Sequence, residues 1–247
     1  MRAILTYHSV DASGSAISID EAAFRDHVRW LASGVVSVVS LETLAGPGAP
    51  DEALALTFDD AFQNFADQAW PLLRGHGLPV TLFIVTGHAG RTNAWGGRET
   101  PGIPTLPLMD WDALGRAAEE GVTLGAHSRT HPDLRRQDDA GLREELAGSA
   151  ETITERTGRR PACFAYPYGA VNARVAEAAG DTYRLACTTA LRPLEARETT
   201  LQLPRLDTYY LRDTARLATW GSAGFRRYLA LRAGIRRARA ALTGGAA

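Results

Sequence analysis

Four short segments carry residues whose types and spacing could do chemistry. Thr57-Phe58-Asp59-Asp60 sets two carboxylates side by side. At the end of a strand, successive side chains point to opposite faces, so one carboxylate could hold a metal ion while the other stays free as a base. His127-Ser128-Arg129-Thr130-His131-Pro132 spaces two imidazoles four residues apart, with a proline fixing the backbone after the second. Two histidines and a carboxylate are a common donor set for a catalytic zinc with an open water position. Phe164-Ala165-Tyr166-Pro167-Tyr168-Gly169 follows an apolar run, and a proline–aromatic–glycine turn could offer a backbone N–H to a developing oxyanion. Tyr7-His8 closes the first apolar run. Each segment alone has an ordinary structural reading: an Asp-Asp turn or helix cap, scattered histidines, a plain turn, a structural histidine. Jointly they are far more specific.

The elements that would position them alternate along the chain. Apolar runs at 3–8, 35–39, 53–58, 79–85, 122–126, 162–166, 184–189 and 203–210 read as strands. Amphipathic segments at 20–32, 62–74, 110–120, 138–157 and 171–179 read as helices, several with acidic starts and glycine stops. Strands alternating with helices imply a mostly parallel sheet. The expected architecture is α/β, a distorted (β/α) barrel with about seven parallel strands, with its chemistry at the C-terminal strand ends. Asp59, Asp60, His127 and the turn at 166–169 all fall at such ends. A doubly wound open sheet is the alternative, but no dinucleotide-type glycine fingerprint supports it.

The 247 residues fit one barrel, expected over 1–213, with a tail from 214 to 247. The net charge of −1 gives no sign of a nucleic-acid partner. All 27 Lys+Arg side chains are arginine. Cys163 and Cys187 sit in apolar runs and read as free core thiols. The first apolar run is too short for a signal peptide and no stretch reaches the length of a membrane span, so the expected location is cytoplasmic. After Asp213 there is no acidic residue, while Arg216, Arg226, Arg227, Arg232, Arg236, Arg237 and Arg239 interleave with Phe225, Tyr228, Leu229 and Ile235. This reads either as a basic amphipathic helix on the inner membrane face or as a terminal helix packed on the barrel with a solvated basic face.

In order and spacing the four segments resemble the NodB-homology polysaccharide deacetylases, the family-four carbohydrate esterases, over about residues 1 to 210. The resemblance implies that Asp59 is the general base and that Asp60, His127 and His131 ligate a divalent metal, most simply zinc. It further implies that the Tyr168 N–H helps hold the oxyanion while an N-acetylated sugar loses its acetyl group. Many family members carry an orienting arginine before the Pro-Tyr-Gly turn and an acid histidine near the C-terminus. Here that region reads Phe164-Ala165-Tyr166, and no histidine follows His131. The chain looks like the poly-N-acetylglucosamine deacetylase branch, in which a Tyr-His element near the start supplies the acid, so His8 is the candidate acid. Arg205, with Asp207, is the candidate substitute for the missing arginine. Ala61 stands where the family usually has glycine. Three readings stay open: a deacetylase on a glycan, lipid-linked sugar or glycoside; an amide hydrolase on a small metabolite; and a non-catalytic glycan-binding relative. Specificity would lie in loops such as 88–107, which the sequence does not decode.

Overall fold

The structure, a computed structural model, describes residues 1–243. Its central sheet runs from β1 (Arg2–Tyr7), β5 (Ala53–Phe58), β6 (Val80–Ile84), β7 (Thr123–Ala126) and β8 (Cys163–Ala165) to β9 (Leu185–Cys187), all paired in parallel. β10 (Leu206–Asp207) lies on the outer edge of β1, and β4 (Ser37–Val38) pairs with the start of β5. The sheet curls into a distorted barrel. Leu203 bridges Cys187 in parallel while Leu206, three residues on, pairs with Leu5, so one short segment touches both edges. A separate pair, β2 (Ser9–Val10) and β3 (Ser18–Ile19), shapes the loop after His8.

The strands are apolar on both faces because both are covered, as parallel sheets require. Every residue of β5 and β6 is buried. The helices are α1 (Glu21–Ala32), α2 (Leu41–Ala45), α3 (Trp70–Gly75), α4 (Trp111–Glu119), α5 (Asp139–Thr157), α6 (Ala173–Gly180) and α7 (Ala223–Thr243). Side chains cap six of their seven N-termini or the turn just before: Asp20, Ser40, Asp110, Asp138 and Asn172 each accept a backbone N–H three residues on, and Ser222 accepts from Phe225. α5 stops at Gly158, which takes a left-handed φ of 67°.

Three expectations need correction. The run at 203–210 is a strand only at Leu206–Asp207; the Asp207 carboxylate then accepts the Tyr209 N–H and turns the chain into a 3-10 helix, Thr208–Leu211. The run at 35–39 pairs only at Ser37–Val38, and α2 follows where none was expected. The helix expected over 62–74 opens as a π-helical turn, Phe65–Ala69, before α3. Cys163 and Cys187 are free and buried on neighbouring strands, and burial pushes both thiols up to about 12. α7 packs onto the barrel, since Phe225 and Leu229 are buried in its main core. Among the described residues, no helix is long and apolar enough to cross a membrane.

Candidate active site

Neighbouring strands β5, β6, β7 and β8 end at one rim of the barrel, and the polar residues leaving them are buried there. Asp59 and Asp60 follow β5 and are 2% and 6% exposed. The Asp59 N–H donates to the Tyr7 carbonyl, which continues the β1–β5 ladder by one residue. Asp60 and Ala61 then both turn left-handed, at φ 69° and 56°. That reversal separates the two carboxylates. L-residues with a Cβ adopt it at a cost of about 1 kcal/mol each.

His127 follows β7 and its Nδ1 donates to the Ala165 carbonyl at 2.7 Å. A carbonyl only accepts, so this bond fixes the proton on Nδ1 and leaves Nε2 as the ligating nitrogen. Ser128 and His131 are also left-handed, at φ 66° and 62°, and the Ser128 hydroxyl accepts the His131 N–H. The tight loop between the histidines hangs from Glu145 of α5. Its carboxylate accepts the backbone N–H groups of Arg129 and Thr130 at 2.8 and 2.9 Å, and the Thr130 hydroxyl at 2.6 Å.

The result is a convergent donor set. Asp60 Oδ1 lies 3.6 Å from His127 Nε2 and 3.7 Å from His131 Nε2. Donors each about 2.1 Å from a tetrahedral ion stand about 3.4 Å apart. Asp60 Oδ1 is buried with no hydrogen-bond partner, an arrangement costly for a carboxylate oxygen unless a cation faces it. Burial raises the Asp60 carboxyl against the opposing pull of His127 and His8, and burial, with His127 beside it, holds the His131 imidazole well below its ordinary value. A neutral histidine is the ligating form. These three residues therefore fit a divalent ion.

Asp59 has a different environment. Arg205, itself 1% exposed, clamps it with two parallel bonds, Nη1 to Oδ1 at 2.6 Å and Nη2 to Oδ2 at 2.7 Å. Arg205 Nε donates to the Thr188 carbonyl, which fixes the guanidinium plane. Burial would raise the Asp59 carboxyl, but the Arg205 guanidinium beside it outweighs burial and holds the group well below the usual carboxylate range. His8 Nε2 lies 3.7 Å from Asp59 Oδ2, and the His8 side chain keeps 21% of its surface. The Asp207 carboxylate caps its own turn.

The fourth wall is aromatic. Tyr168 is left-handed at φ 59°, half exposed, and meets the His131 ring edge-on at 4.6 Å. The next residue must be glycine: a Cβ on Gly169 would sit 2.1 Å from Thr189 Oγ1. Trp95 stacks on His131 at 4.5 Å and 20°. Sequence reasoning missed Glu145 and Trp95. A carboxylate within the apolar stripe of α5, between Leu142 and Leu146, was the available signal for Glu145; Trp95 sits in a glycine-rich loop without periodicity.

A sequence model of the family described as polysaccharide deacetylase matches residues 47–184. The chain belongs to that family. Among curated proteins it is 22% identical over 192 residues to a protein of Bacillus subtilis (strain 168) named as a polysaccharide deacetylase, YxkH, covering 75% of this chain and 63% of that one. It is 24% identical over 162 residues to the poly-beta-1,6-N-acetyl-D-glucosamine N-deacetylase of Staphylococcus aureus, covering 63% and 55%. The chain thus spans less than two thirds of the length of these relatives. Among solved structures, IcaB from Ammonifex degensii superposes with a TM-score of 0.69 at 23% identity, covering 90% of this chain and 97% of that one. The Streptococcus pyogenes deacetylase PplD gives 0.70 at 19%, covering 83% and 91%. At these identities the structural likeness speaks for the family's fold alone.

Proposed function

We propose that this chain hydrolyses the N-acetyl group of an N-acetylhexosamine unit, adding water across the amide C–N bond to release acetate and leave the free amine. The observation that carries the reading is the division of labour between adjacent carboxylates. Asp60 is orphaned beside two histidines, while Asp59 is turned away onto a buried arginine. Asp60, His127 and His131 would hold a divalent metal, and the nitrogen and oxygen donors suit zinc. When bound, such an ion supplies Lewis-acid polarisation and makes water more acidic. Asp59 stays ionised under its arginine clamp and accepts the proton of the attacking water as general base. His8 faces Asp59 across 3.7 Å with part of its ring open to solvent, so it is assigned as the acid that protonates the departing amine. The backbone N–H of Tyr168 is assigned to the developing oxyanion. Arg205 orients Asp59 and touches no reacting atom.

The S. aureus relatives named for poly-beta-1,6-N-acetyl-D-glucosamine support an N-acetylglucosamine unit as substrate. The test is acetate release from short N-acetylglucosamine oligomers, nucleotide sugars, lipid-linked sugars and non-sugar acetamides, before and after chelation. Release from at least one sugar, lost on chelation and restored by zinc, is expected. Release only from non-sugar amides, or release indifferent to chelation, sinks the reading.

A further inference from the structure

Beside the proposed site, the loops leaving β8 and β9 and one face of α7 enclose a groove of about 600 Å³, within the usual span for small-molecule sites. Its floor is mostly apolar: Val171, Leu191 and Pro193 on the loop side, Leu229, Ala230 and Ala233 on the helix. The two alanines make the space, since they stand where larger side chains would close the helix onto the loops. Arg226, Arg236 and Arg237 border it. Arg192, also on the border, is already paired with Glu198. Among the described residues no carboxylate pairs with the three helix arginines, and none follows Asp213 in sequence. A groove that is apolar inside and cationic at its edge is complementary to an amphiphile with an anionic head.

The groove also joins the proposed site. Gly169 lines it, and the neighbouring Tyr168 ring lies against His131. The Thr189 hydroxyl donates to the Tyr168 carbonyl, tying the groove wall to the same turn. Thr188, another wall residue, accepts from Arg205. A ligand that fills the groove as far as its Gly169 wall would therefore end beside the turn that carries Tyr168.

We propose that this groove seats the carrier of the substrate: a lipid chain bearing a phosphate or diphosphate, to which the N-acetylated sugar is attached. The assignment rests on the N-deacetylase reading above. A free glycan strand would leave unused both the apolar floor and the arginines that lack a carboxylate partner.

The test titrates the full chain with farnesyl phosphate, farnesol and inorganic phosphate, then repeats this with the double variant Arg236→Glu/Arg237→Glu and with Ala233→Trp, which fills the floor. Farnesyl phosphate is expected to bind about tenfold tighter than either half-ligand, and each variant to weaken it about tenfold. No preference for farnesyl phosphate, or undiminished binding by variants with unchanged circular dichroism, overturns the site. Phosphatidylglycerol vesicles that capture wild type and displace farnesyl phosphate assign the face to bulk membrane and overturn the carrier. A second arm compares kcat/KM for N-acetylglucosamine joined by diphosphate to a farnesyl chain with that for a soluble N-acetylglucosamine tetramer. The ratio is expected to favour the lipid-linked sugar about tenfold and to fall towards one in the variants. Equal values in wild type overturn the carrier and leave the deacetylase reading standing. Acetate from neither substrate overturns the carrier assignment, and the deacetylase reading falls with it only when the nucleotide sugars also release none.

Discussion

At the residue scale, the site depends on side chains and backbones held in uncommon states. Arg205 and Asp59 form a buried, bidentate pair, and breaking such a pair strands a charge at about 3–5 kcal/mol. Arg205→Gln should therefore lower stability by that order in urea unfolding, while Arg205→Gln combined with Asp59→Asn should recover part of the loss. A double variant as unstable as the sum of the singles would mean that the pair is not coupled. Ala61 sits at φ 56° where no Cβ is favoured, so Ala61→Gly should leave stability unchanged or raise it by up to about 1 kcal/mol. A clear loss would show that the methyl group packs usefully. Asp60, His127 and His131 were legible as a cluster because Asp60 and His127 follow the apolar runs of β5 and β7 and His131 shares a short loop with His127. Arg205 could be suspected as a charge inside an apolar run. The clamp itself was not visible, because the segment that carries it pairs with β1, some 200 positions earlier, a contact no local pattern reports.

At the element scale, helices hold loops that the chemistry needs. Glu145 of α5 accepts three hydrogen bonds from the loop between the histidines. Glu145→Ala should weaken zinc binding by about 10- to 100-fold in chelator competition, and Glu145→Gln less. Unchanged affinity would make the clamp purely structural. His27 of α1 accepts from the Tyr7 hydroxyl and donates to the Leu211 carbonyl, joining helix, β1 and the last turn. Burial lowers its imidazole to about 4, against about 6.5 in the unfolded chain. Its neutral form is thus favoured by folding. The contribution is complete above about pH 6.5 and is lost as pH falls towards 4, by about 2 kcal/mol between pH 7 and 5. Urea unfolding of His27→Gln should show that much less acid sensitivity over the same interval. The longer helices were legible from periodicity and the main strands from apolar runs, whereas α2 and the β2–β3 pair were not. Boundaries were lost where a single side chain ends an element, as Asp207 does, or where the backbone shifts to a π turn at Phe65–Ala69.

At the scale of the whole molecule, closure decides the site. The segment from Leu203 to Asp207 touches β9 and β1 and brings Arg205 onto Asp59. α7 then packs onto the barrel through Phe225 and Leu229. Phe225→Ala should cost about 3–5 kcal/mol and Leu229→Ala about 2–5; losses under about 1 kcal/mol would make the helix separable. The central claim, that adjacent carboxylates serve as base and ligand, is tested most directly by measuring zinc content and acetate release together in Asp59→Asn and Asp60→Asn. Asp59→Asn should retain one zinc per chain while acetate release falls about 10²- to 10⁴-fold, and Asp60→Asn should lose both. Full activity in Asp59→Asn, or undiminished zinc binding in Asp60→Asn, would contradict the account.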